Sequence, residues 1–338
     1  MTTDAKKVTK RPSLCGVAAG LVLAMQIAGC GPLGELLNPP APGVMEEWPG
    51  LLSEIRAFER GLGFTPTANF AALAKEQAEF PFCGIASRLI LPYSYEDPAI
   101  TWLDAGTEQE CRARGEGYDV YYGAVEAWGE SSTPVTPAMI NGRLDRFIYL
   151  VIHEDCHDQF DLPYGVEEAL CNLITYKAMA AFTAEKFGSS AREHRAVQRY
   201  AETQSENTRA TIANYESMAQ LYAGFERREI SVDALLRGRG ELLQAAATQL
   251  AWTRGDPGNV RLASHMTYSR HYPLLENVFN TLGRDTARAV EFFRRADAAK
   301  PPREAIIARY GDSGVDAIRA YETAVMTSIS AALATYRR

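Results

Sequence analysis

The sequence has no Cys-x-x-Cys pair and no cluster among its six cysteines, which argues against a metal site built on thiolates. It also lacks an excess of basic residues. Lys and Arg total 35 against 42 Asp and Glu, a formal charge of −7, and an acidic chain of this kind is unsuited to nucleic acid or to electrostatic attachment to anionic lipid. No apolar run has a comfortable length for a transmembrane helix. No internal repeat is apparent.

What is present begins at the N-terminus. Lys6, Lys7, Lys10 and Arg11 precede an apolar stretch, Leu14 to Gly29, interrupted by Gln26 alone, and this has the length and flanks of a signal peptide. The stretch ends in Ile27-Ala28-Gly29-Cys30, which resembles the bacterial lipobox, where the cysteine sulfur takes a diacylglycerol and cleavage makes that cysteine the N-terminus. Residues 1–29 are therefore expected to be a lipoprotein signal peptide and Cys30 a membrane anchor, with an ordinary secretory signal or an N-terminal membrane anchor as the other readings. Gly31 in place of the usual retention residue Asp points to the outer membrane, facing the periplasm. Removing residues 1–29 takes away four basic residues and one acidic, leaving 31 against 41 and a charge of −10. Residues 30–50 are rich in Pro and Gly and read as a tether. Residues 51–338 form the body, long enough for a substantial core. Among the remaining cysteines, Cys83 with Cys111 and Cys156 with Cys171 can each form a disulfide in an oxidising compartment, although the sequence admits three pairings or none.

The fold class expected is α+β, predominantly α-helical. Leu51, Leu52, Ile55 and Phe58 share one face at helical spacing, and Asn69 to Glu79 is a second short helical candidate. Between about residues 81 and 130 the composition turns to Pro, Gly and aromatics, and Tyr118 to Trp128 is β-prone enough to be a strand despite Gly123. From about 141 to 338 the pattern is helical. The stretch from about 190 to 250 carries many charges and reads as solvated scaffold without chemistry, His194 included.

The chemistry concentrates in Ile148–Asp158, IYLVIHEDCHD. His153 and His157 are four apart, so on a helix both imidazoles face one ion, while Glu154 points toward the place of an attacking water. Neutral imidazole suits Zn²⁺, and a carboxylate beside it can serve as general base. After the turn at Pro163-Tyr164-Gly165 the next helix opens with Glu167-Glu168, where the third ligand of a site made of two His and one Glu belongs. The expected centre is one Zn²⁺ per chain on His153, His157 and Glu168, acting on a peptide substrate.

His153 to His157 followed by Glu168-Ala169-Leu170-Cys171 resembles the gluzincin metallopeptidases, with Glu167 in the place of their usual asparagine. The chain further resembles a family of bacterial, often lipid-anchored proteins described as aminopeptidases. That resemblance runs through Ile55-Arg56-Ala57-Phe58, Gly117 to Tyr121, the metal helices, Asn259 to Ala263 and Thr267-Tyr268, and it implies a gluzincin-like fold with a small β element before the His153 helix. It also implies Asn172 as a second-shell residue that orients a histidine, Tyr268 as a catalytic donor to the oxyanion, and Glu126 as a substrate-binding carboxylate that grips a free α-amine. His265 and His271 lie close to Tyr268 in the chain. The sequence departs from the family at Asp155 and Asp158, where uncharged residues are usual, and in the loop Gly129–Pro137, which lacks the usual aromatics and glycines. A catalytically inactive, lipid-anchored binding protein on the same fold is the second reading.

Overall fold

The computed structural model describes residues 41–44, 46–74, 79–127, 132–252, 255–311 and 314–336. The signal peptide, Cys30 and the tether up to residue 40 lie outside them, as do residues 128–131 of the loop before Pro137. The body already packs at Ala41 and Val44, both buried, because the Pro42 carbonyl accepts the Leu144 N–H and Gly43 bridges Arg143. Packing therefore begins before Leu51.

Helix α1 (Trp48–Gly61) buries Leu51, Leu52 and Ile55, and Phe58 meets Phe182 edge to face at 5.5 Å. Of the helix predicted over Asn69 to Glu79, residues 69–74 and 79 are not helical, and residues 75–78 lie outside the described residues. Asn69 is buried, and its side chain donates to the Glu154 carbonyl and accepts from the backbone N–H groups of Ser132 and Thr133. These contacts hold Phe70 at φ +56°, which is incompatible with a helix.

Strands β1 (Phe80–Ala86), β2 (Thr101–Leu103) and β3 (Asp119–Val125) form an antiparallel sheet in the order β2-β1-β3. The register sets Phe82 opposite Gly123. A Cβ on Gly123 would stand 2.3 Å from the Phe82 ring, so the glycine that weakens the strand signal makes room for an aromatic neighbour. Helix α2 (Glu108–Arg114), capped by Thr107, is joined to β1 by the disulfide Cys83–Cys111.

After the short helix α3 (Pro137–Ile140) come α4 (Leu144–His157) and α5 (Tyr164–Phe187). Every residue from Phe147 to Cys156 is buried, His153, Glu154 and Asp155 included. They are followed by α6 (Arg192–Glu226), α7 (Val232–Gln249), α8 (Asn259–Thr267), α9 (Tyr272–Thr281), α10 (Thr286–Ala298), α11 (Arg303–Tyr310) and α12 (Val315–Tyr336). The architecture is predominantly helical with one small sheet. None of the described helices is long and apolar enough to cross a membrane.

Two expectations for α6 fail. His194 is buried, with Nδ1 3.1 Å from the Thr183 hydroxyl on α5. Tyr200, Gln204, Asn207, Thr208 and Thr211 line an interior cavity. A neutral polar face has the same hydropathy as a solvated one, so helical periodicity does not separate the two.

Candidate metal centre and substrate cavity

Helices α4 and α5 place three donors together. His153 Nε2 lies 3.2 Å from Glu168 Oε2, His157 Nε2 lies 3.4 Å from the same oxygen, and the two Nε2 atoms are 3.3 Å apart. Donors set tetrahedrally at about 2.0–2.1 Å from an ion lie about 3.3–3.4 Å from one another. The triangle fits a small cation, and its two imidazoles and one carboxylate form a donor set that can hold a metal ion. Burial opposes charge on Glu168, yet His157 and His153 hold its carboxyl well below the usual range.

The histidines are supported unequally. Glu167 Oε1 lies 2.8 Å from His157 Nδ1, and its other oxygen accepts the Leu162 N–H at 3.0 Å, so a carboxylate fixes the outer nitrogen of that ring. The buried Nδ1 of His153 has no hydrogen-bond partner among the described residues. That ring is instead held by stacking, with Tyr149 4.9 Å away and 17° from parallel. Asn172 accepts the Tyr149 hydroxyl at 2.7 Å. Asn172 thus reaches His153 through a tyrosine, and Glu167 is the direct support that residue type alone did not single out.

Glu154 is buried beside the triangle. Desolvation raises its carboxyl despite the opposing pull of His153 and His157. Asp155 turns to the other side of α4, where Thr67 and Asn69 donate to it and Arg56 approaches to 3.7 Å. Asp158 also accepts from Asn69. Both carboxylates that depart from the family pattern are engaged by Asn69 and are absent from the lining of the cavity.

A cavity of about 650 Å³ opens on the triangle and is lined by aromatic rings from the sheet, α4, α5 and α8. Tyr268, at the C-terminal end of α8, lies 6.4 Å from His153 ring to ring. Burial, Glu168 and Tyr164 hold its hydroxyl protonated far above the usual range, which keeps it a donor. One turn earlier, His265 stacks on Trp252, and burial together with Arg261 pushes its pKa down to about 4. Ser264 presents a buried hydroxyl without a partner among the described residues. His271 is not part of the lining and bonds Glu322 at 2.9 Å.

Glu126 lies one residue beyond β3. Arg146 donates to both of its oxygens, at 3.0 and 2.7 Å, and Arg146, Val125 and Ala127 line the cavity where Glu126 does not. Tyr95 and Tyr164 were not singled out in the sequence, since each reaches the cavity from a loop or a helix start distant in the chain.

A family model described as "Putative aminopeptidase" matches residues 103–306. No curated protein and no solved structure matches the chain.

Proposed function

The chain belongs to the family of that model, and we propose on this premise that it is a zinc-dependent aminopeptidase with a gluzincin-like centre. The observation that carries the reading is the triangle of His153, His157 and Glu168 donors, spaced 3.2–3.4 Å, with Glu154 in the same cavity. When bound there, Zn²⁺ supplies a Lewis acid and makes water more acidic. Glu154 takes a proton from the attacking water and passes it to the leaving amine. Tyr268 donates its hydroxyl to the carbonyl oxygen as negative charge develops on it. Glu167 holds the outer nitrogen of His157 and Tyr149 stacks on the ring of His153.

The two disulfides support a location outside the reducing cytosol. With the lipobox-like sequence at Cys30 they favour a lipid-anchored protein of the outer membrane, facing the periplasm. Cys30→Ser is expected to release the protein into the soluble fraction; retention in membranes would remove the anchor from the account.

The catalytic reading is tested with Glu154→Gln. The variant should bind zinc like the parent while its turnover of free peptides falls by about 10²–10⁴-fold, the usual share of general acid–base catalysis. Unchanged turnover excludes Glu154 from the mechanism.

A further inference from the structure

We propose that the inward face of α6, together with Ser264 of α8, is a specificity subsite for an uncharged side chain that both donates and accepts hydrogen bonds, glutamine or asparagine, beside the scissile bond. The inference rests on the peptidase reading above and names the substrate class that the cavity selects.

Five residues of α6 line the cavity: Tyr200, Gln204, Asn207, Thr208 and Thr211. Their spacing sets them on one helical face, and none of them carries a charge. The charged residues interleaved with them, Glu202, Glu206 and Arg209, are exposed. Thr208 turns its hydroxyl back to the Ser205 carbonyl at 2.7 Å. The side chains of Gln204, Asn207 and Thr211 make no hydrogen bond among the described residues. Ser264 adds an independent sign of a ligand. It is 6% exposed and lines the same cavity, and its hydroxyl has no partner among the described residues. A buried hydroxyl left unpaired costs free energy that a hydrogen-bonding ligand recovers.

The face stands within a peptide's reach of the metal donors. The Tyr200 ring lies 6.0 Å from Tyr149, which stacks on His153 at 4.9 Å. Gln204 and Asn207 follow Tyr200 by about 6 and 10 Å along the helix axis, the span of two to three residues of extended peptide. Ser264 precedes Tyr268 by one turn, and the Tyr268 ring is 6.4 Å from that of His153. The wall is also fixed. The Ser205 hydroxyl meets the Tyr272 hydroxyl on α9 at 2.6 Å, and His194 meets Thr183 on α5 at 3.1 Å. Amides and hydroxyls held in this way discriminate in two directions. An apolar side chain leaves them unpaired, and a charged one loses water without gaining an opposite charge from the wall.

The test uses tripeptides with glutamine, methionine or glutamate at the first or the second position and glycine elsewhere, since the three side chains are nearly the same size. In the zinc-loaded parent, kcat/KM at one of the two positions should favour glutamine over each of the others roughly ten- to a hundredfold. Asn207→Leu should bring the glutamine-to-methionine ratio to one or below. Ser264→Ala, smaller by a single oxygen, should lower it by about three- to tenfold. A parent without preference at either position overturns the subsite, and so does a loss of activity in these variants that leaves the ratio as it was. Calorimetry of the same peptides on the Glu154→Gln protein separates this inference from the reading it rests on. A parent that cleaves no peptide sinks the peptidase reading, yet tighter binding of the glutamine peptide, abolished by adding Asn207→Leu, still upholds the subsite. Equal binding of the glutamine and methionine peptides refutes it.

Discussion

A disulfide joins Cys156 to Cys171, and the two residues flank the metal donors: Cys156 adjoins His157, and Cys171 lies one helical turn beyond Glu168. The bond ties α4 to α5 at the point where their donors meet, so the geometry of the triangle is constrained covalently as well as by packing.

Replacing both cysteines with alanine should therefore cost stability and metal affinity together. The closed loop spans 15 residues, for which chain entropy gives a stabilisation of about 3 kcal/mol. Urea unfolding with and without zinc measures it. An unchanged midpoint in both conditions would show that packing alone sets the donors.

The first turn of α5 carries a second constraint. A Cβ on Gly165 would stand 2.3 Å from Glu322 Oε1, and Glu322 is buried and held by Tyr93 at 2.7 Å and His271 at 2.9 Å. Gly165→Ala should thus destabilise by about 1–3 kcal/mol through overpacking, partly offset by about 0.5–1 kcal/mol for replacing a helical glycine. Because the turn bears Glu167 and Glu168, zinc affinity should fall more than that of a surface control. Thermal unfolding and zinc titration check both effects, and wild-type values for each would show that the carboxylate moves aside freely.

Behind α4, Glu59 and Asp155 meet in a buried carboxyl pair. Burial, and then Asp155, raise the Glu59 carboxyl well above its usual range against Arg56 and Arg60. The folded state keeps a proton that the unfolded chain loses above about pH 4.5, so stability falls as pH rises toward neutrality. Glu59→Gln fixes the neutral form and should lessen that loss. Melting temperatures at pH 5 and pH 8 are the readout, and equal pH dependence in parent and variant would contradict a protonated Glu59.

The donor set was legible in the sequence because it is local. His153, Glu154 and His157 are fixed by helical period, and Glu168 follows after one short turn. The residues that shape the cavity were not legible, because long-range packing delivers them. Asp119 accepts the N–H of Asn259 and so anchors the start of α8, the helix that carries Ser264, His265 and Tyr268. Thr267 accepts from Tyr95, and Arg56 pairs with Asp155. Segments that appeared as scattered points of family resemblance thus meet in space as supports of one site. The polar wall of α6 escaped notice for a different reason, since Gln204, Asn207 and Thr208 carry no hydropathy signal that tells a cavity from solvent. Glu126 looked available in the sequence, where its ion pair with Arg146 cannot be seen.

The central claim is that His153, His157 and Glu168 hold one zinc ion, and the most direct test is the zinc content of purified protein, reconstituted and dialysed, read by atomic emission. One equivalent per chain is expected in the parent, and well below one in Glu168→Ala that retains the parent's circular dichroism. Less than a tenth of an equivalent in the reconstituted parent, or a full equivalent in the variant, would contradict the account.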